Sequence, residues 1–227
     1  QVRDALPGAG VDMTVNKLCI VILLQALLVL WPGRTFARFA PAQCVTAAVN
    51  VAVSPAQAWA VLSDFTVAHL YVPGLTRTEV VSANQLGLGA HRRVYQGSDD
   101  YLEETIIDWR EGNGFTIKLH EGEEVMAPFK RAEFSYSIEP APGGETAVEL
   151  AMLAEMPWGK FGEKLGEWFI TPVVETNLVE VAAGLKHFYE TGQPATDEDR
   201  ERLAPQVRTT MGGNGCEVFR QNDNSKG

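Results

Sequence analysis

Between residues 158 and 190 apolar side chains return at steps of three and four: Phe161, Leu165, Trp168 and Phe169, then Val174, Leu178, Val181, Leu185 and Phe188. That period is one face of an α-helix. At ~1.5 Å per residue such a helix would run roughly 45 to 50 Å. A rod of that length with one apolar face needs a broad, concave partner to cover it. Pro172 lies inside the pattern and removes a backbone donor, which predicts a kink or a division into two segments.

The residues before the rod supply that partner. Stretches 76–83, 89–96, 102–109, 115–120, 129–138 and 147–156 read as strands, separated by short Gly-, Asn-, Asp- or Pro-bearing turns. Six strands with short links make an antiparallel meander. A further strand at 45–53 brings the sheet to seven. It leads directly into Ser54-Pro55-Ala56-Gln57, which supplies Ser at N-cap, Pro at N1 and Gln at N3 of a helix. Trp59, Val61 and Leu62 give that helix an apolar face. Asp64 is placed to cap a second short helix through Leu70, and Pro73-Gly74 closes the unit.

The two ends read differently. Residues 1–37 are expected to be upstream residues followed by an export signal starting at Met13: a short basic segment to Lys17, an apolar run at 18–31 broken only by Gln25, and Thr35-Phe36-Ala37 with small residues ahead of a cut after Ala37. The apolar run is short for a bilayer span. An uncleaved N-terminal membrane anchor remains the alternative. Export, to a periplasm or the outside, would leave Cys44 and Cys216 in an oxidising compartment, where a disulfide between them or two free thiols are both open readings. Residues 192–227 are rich in Gly, Asn, Pro and charge and predict a disordered tail. The domain itself is expected over 42–191.

Several functions are disfavoured. A net charge of −10 leaves no concentrated Lys/Arg face for nucleic acid. His69, His91, His120 and His187 lack metal-ligand spacing, so no metal is expected. Gly87-Leu88-Gly89 opens a strand and not a helix, which argues against a nucleotide loop. No Gly-x-Ser-x-Gly or Cys-x-x-Cys occurs, and no cofactor is implied.

In the middle of the meander, Glu103 and Glu104 interrupt an apolar strand, and in a regular strand one of them must point inward. An inward carboxylate in an apolar cup would have raised proton affinity and could serve as a general acid or base. The other reading is an ion pair with Arg92 or Arg93 on the neighbouring strand.

The order of strand, two short helices, six-strand meander and long helix resembles the START-like superfamily, also called SRPBCC, which includes the polyketide cyclase/dehydrase and Bet v 1-like proteins. The residues that carry the resemblance are "VSPAQAWAVLSDF" at 53–65, "LGLGAHRRV" at 86–94, "LEETIIDWREGNGFTI" at 102–117 and "GEKLGEWFITPVVETNLVEVAAGLKHF" at 162–188. It implies an α+β helix-grip fold: a seven-stranded curved antiparallel sheet, two short helices and a long C-terminal helix enclosing a cavity. Candidate ligand-binding residues on that fold are Tyr95, Tyr101, Trp109, Phe134, Tyr136, Met152, Trp168 and Phe169. Ile107, Phe115, Ile117, Leu150 and Val173 are further lining candidates. Glu104 aligns with a frequent family glutamate and is the catalytic candidate. The 121–128 loop is read as a solvated hairpin loop or as a lid over the cavity mouth, and the nearby Tyr71–Leu75 turn as a second rim. Two functions follow from the resemblance. One is an exported carrier of a hydrophobic small molecule such as a lipid, quinone or polyketide-like aromatic. The other is a cyclase, aromatase or dehydratase using the same pocket. Transient contact with a membrane surface, or a module that binds an envelope partner, remains a third reading.

Overall fold

The structure is a computed structural model, described here over residues 43–157, 171–212 and 214–224. Its strands form one antiparallel sheet. They are β1 (Gln43–Val51), β2 (Arg77–Val80), β3 (His91–Tyr95), β4 (Tyr101–Arg110), β5 (Gly114–Glu121), β6 (Glu124–Val125), β7 (Arg131–Pro140), β8 (Thr146–Glu155) and β9 (Arg208–Met211). The order across the sheet is β2-β3-β4-β5-β7-β8-β1-β9, with the short β6 paired to β5. The seven expected strands are all present within a few residues of their predicted ends. The two additions are β6, inside the 121–128 loop, and β9, from the tail.

Helix α1 (Pro55–Leu62) begins where the sequence places it: Ser54 and Gln57 cap one another through side chain and backbone in both directions. The second short helix is only a 3₁₀ turn at Ala68–Leu70. Asp64 accepts from the Thr66 N–H and hydroxyl, the contact a capping residue makes, but no α-helix follows it.

The long helix, α2, is described over Thr171–Thr191, about 31 Å at ~1.5 Å per residue. Pro172 is the second residue of that span. The expected earlier part of the rod, including Phe161, Leu165, Trp168 and Phe169, lies outside the described residues. Val174, Leu178, Val181, Leu185 and Phe188 face the core as their spacing predicts, and α2 packs across β1 and β8. Inward residues of one parity meet them, among them Val45, Ala47 and Val49 on β1 and Val148, Leu150 and Met152 on β8.

Of the tail expected to be disordered, the described residues 192–212 and 214–224 are instead built into the domain. Thr196 caps α3 (Asp197–Leu203) in a capping box with Asp199, and α3 lies against α2. Strand β9 then extends the sheet beyond β1. Helix α4 (Glu217–Asn224) buries Val218 and Phe219 on Ala151 and Leu153, on the sheet face turned away from α2. Cys44 and Cys216 form a disulfide that ties β1 to this segment. The local signals were the Thr196-x-x-Asp199 spacing and the apolar pair Val218-Phe219.

Candidate functional site

Between the sheet and α2 lies a cavity of about 330 Å³, at the small end of the ~300–1,000 Å³ typical of ligand pockets. Its floor is the inward parity of four strands: Val94 on β3, Leu102 and Glu104 on β4, Ile117 and Leu119 on β5, Phe134 and Tyr136 on β7, with Met152 from β8. Its roof is Val174, Leu178 and Val181 of α2. Val72, Pro73 and Leu75 of the turn after the 3₁₀ helix form one rim, and Met126 and Phe129 of the loop after β5 form another. Both rims are where the sequence reading expected them. Gln96, Val173 and Asn177 line the cavity and are also exposed, which marks its mouth.

The alternation that turns Glu104 inward turns Glu103 outward. Glu104 meets Arg92, its Cα partner across β3 and β4. Nε of Arg92 donates to Oε2 of Glu104 at 2.5 Å, and a terminal nitrogen makes an ion-pair contact with the same oxygen at 2.5 Å. The other end of the guanidinium donates to the Phe65 carbonyl at 3.0 Å, and its plane lies 4.0 Å from the Phe65 ring centre. Arg92 is 1% exposed. Burial alone would lower its proton affinity, but Glu104 and two nearby phenols outweigh that and hold it above the ordinary guanidinium value. Those phenols are Tyr71 and Tyr136. Their rings meet edge to face with centroids 6.5 Å apart, and both feel the charges of Arg92 and Glu104. Burial raises both tyrosines, Tyr136 far above the usual phenol range, so each stays protonated.

The site is therefore an apolar chamber with one polar pole. Of the ligand-binding residues proposed from the sequence, Phe134, Tyr136 and Met152 line it, as does Glu104. Ile117, from the wider set, does too. Trp168 and Phe169 lie outside the described residues. Tyr95 and Tyr101 do not reach the chamber. They pair with each other on the opposite face of the sheet, where the Arg77 and Arg93 guanidiniums stack on their rings and Tyr95 donates to Glu79. Trp109 faces inward but does not line the chamber: a bulge between Ile106 and Asp108 resets the parity of β4 and sets Trp109 opposite Phe115, where its ring stacks on Phe115 and tilts against Trp59. Both indole N–H groups donate to Glu111. The residue that sequence reasoning undervalued is Tyr71: it was read as rim, yet it is 2% exposed and joins the buried network.

Glu103, the outward carboxylate, accepts from Arg93 at 3.1 Å and from the Gly122 N–H at 2.7 Å, with His91 and His120 at 3.5 and 3.8 Å. Among the described residues no cluster of His, Cys, Asp or Glu has the geometry of a metal site. A larger open groove of about 840 Å³ lies on the other side of α2, against α3. The carboxylates of Glu175, Glu180, Asp197 and Glu201 surround it, with Arg200 among them.

Three solved structures share this architecture at low identity. Ara h 8.0201 aligns with a TM-score of 0.50 at 15% identity, over 65% of this chain and 97% of its own. A Nitrosospira multiformis protein gives 0.50 and 14%, over 66% and 97%. XoxI from Bacillus cereus gives 0.51 and 11%, over 64% and 94%. These likenesses concern the fold alone. No curated protein matches the chain significantly. The family model described as "Polyketide cyclase / dehydrase and lipid transport" matches residues 42–186. With this match over most of its length and with its sheet and closing helix arranged as in the Bet v 1-like structures, the chain belongs to that family and so to the START-like, or SRPBCC, superfamily.

Proposed function

We propose that the protein is an exported binder or carrier that holds a hydrophobic small molecule, a lipid, quinone or polyketide-like aromatic, in the chamber beneath α2. The observation that carries this reading is the chamber itself: a core that leaves about 330 Å³ unfilled in the midst of Ile117, Leu119, Phe134, Met152 and Leu178. Interiors normally close such space, because every unfilled contact forfeits dispersion energy. A retained apolar void with a mouth is the arrangement a guest needs. The exposed Val173 and the Pro73 turn give a guest an apolar path that crosses no sheet hydrogen bond.

Non-catalytic binding is favoured over cyclase or dehydratase chemistry because Glu104, the candidate acid or base, is gripped by Arg92. Held on one oxygen by a buried guanidinium, Glu104 suits a fixed hydrogen-bond acceptor better than a group that must gain and release a proton in every cycle. Export is supported by the leader-like N-terminus and by the Cys44–Cys216 disulfide, which suits an oxidising compartment. The test is native mass spectrometry of the protein extracted mildly from its host. A bound apolar mass of one guest per chain is expected. A bare chain at every lipid loading would contradict the reading.

A further inference from the structure

The polar pole of the chamber can be read atom by atom for what it would accept. Both Arg92 contacts to Glu104 fall on Oε2. Oε1 has no hydrogen-bond partner among the described residues, and Glu104 lines the chamber. The second polar group there is Tyr136, whose hydroxyl can donate or accept. The positive charge is out of reach: Arg92 is 1% exposed, does not line the chamber, and spends donors on Glu104 and the Phe65 carbonyl. Among the described residues the pole thus presents a carboxylate oxygen as its strongest acceptor and no accessible cation, although the ion pair behind it is neutral overall.

We propose that the guest is an uncharged apolar molecule bearing a hydroxyl, an alcohol or a phenol, and that this hydroxyl donates to Oε1 of Glu104 while the apolar body lies against Ile117, Phe134, Met152 and Leu178. This rests on the carrier reading and narrows it. A hydroxyl can donate to Glu104 and return a lone pair to nothing that needs it, so its cost of leaving water is met by a charge-assisted bond. A carboxylate would bring a second negative charge onto Glu104 with no accessible cation among the described residues. A methyl ester or ketone would set an acceptor against the Glu104 oxygen. Gln96 and Asn177, the polar residues at the mouth, are exposed and exchange freely with water, so they do not set the choice of head group.

The test uses the full chain and matched ligands that displace a neutral fluorescent dye: octanol and para-octylphenol against octanoate and methyl octanoate. The alcohol and the phenol should bind at least tenfold tighter than the carboxylate and the ester at neutral pH. In Tyr136→Phe, which leaves the Arg92–Glu104 pair in place, the preference of alcohol over ester should persist. In Glu104→Gln, which presents an amide donor as readily as an acceptor, the preference of alcohol over ester should collapse. Equal affinity across the wild-type series, or tighter binding of octanoate, overturns the hydroxyl assignment and leaves the carrier reading standing. Failure of every ligand to displace the dye, or of the dye to bind, overturns both.

Discussion

At the scale of single residues, the most consequential choice is the parity of β4, because it decides which of two adjacent carboxylates meets the chamber. The answer is Glu104, and its partner Arg92 is among the most deeply buried side chains in the chain. Removing one member of such a pair strands a charge, which costs about 3–5 kcal/mol, whereas replacing both by apolar groups can be near neutral. Arg92→Met should therefore lower the unfolding free energy by about 3–5 kcal/mol, and Arg92→Met with Glu104→Leu should recover much of it; urea titration of the three variants checks this. A double variant as unstable as the single would mean that the pair is not what Arg92 serves. Gly184 makes an opposite point. In an exposed helix Gly→Ala stabilises by about 1 kcal/mol, but a Cβ at Gly184 would lie 2.2 Å from the Tyr71 carbonyl oxygen. Gly184→Ala is expected to lower the melting temperature, since α2 would be pushed off the turn that carries the rim.

The elements show where a sequence speaks and where it is silent. Strand limits, the Ser54 cap and the apolar seam of α2 were legible because each is local: alternation, a capping pair, a repeat of three and four. The face of the sheet to which an aromatic belongs was not. Tyr95 and Tyr101 read like pocket residues, yet arginines on neighbouring strands hold them on the outside, and only the register reveals that pairing. Trp109 does face inward, because a one-residue bulge that leaves no signature in "TIIDW" sets it opposite Phe115, but it sits at the end of β4 against Trp59 and away from the chamber. The tail misled for a compositional reason: its polar residues form caps and edges, and its few apolar ones, Val218 and Phe219, are spent on a small outer core. Its attachment gives a test. Serine at Cys44 and Cys216 together should cost about 2–5 kcal/mol of stability and speed amide exchange in β9 and α4, with the chamber strands unaffected. Exchange rates unchanged in α4 would show that the segment holds without the bond.

The outer face of the sheet also carries a pH dependence. Burial alone would push the Glu103 carboxyl up, but the Gly122 N–H, Arg93 and His91 outweigh it and hold it below the ordinary carboxylate value. A depressed carboxyl contributes stability that is present above its unfolded value, ~4.3, and is lost as pH falls through the folded one. Between pH 6 and pH 3 the melting temperature of the wild type should fall more steeply than that of Glu103→Gln. Parallel curves would remove Glu103 from the acid-sensitive groups.

For the molecule as a whole, the account depends on a sheet and a helix that meet at their margins and stand apart over Ile117 and Phe134. The sequence announced the two surfaces, through the length of the apolar seam and the count of strands, and so it announced the fold class. It did not announce the gap, because a gap is the difference between two curvatures and belongs to no residue. Filling that gap is the most direct measurement. The wild type should bind the neutral dye Nile red at one site per chain. Ile117→Trp and Leu178→Phe, each placing ring atoms in the chamber from opposite walls, should weaken that binding more than tenfold while the circular dichroism spectrum stays that of the wild type. Dye bound equally well by both filled variants would place the guest elsewhere and contradict the account.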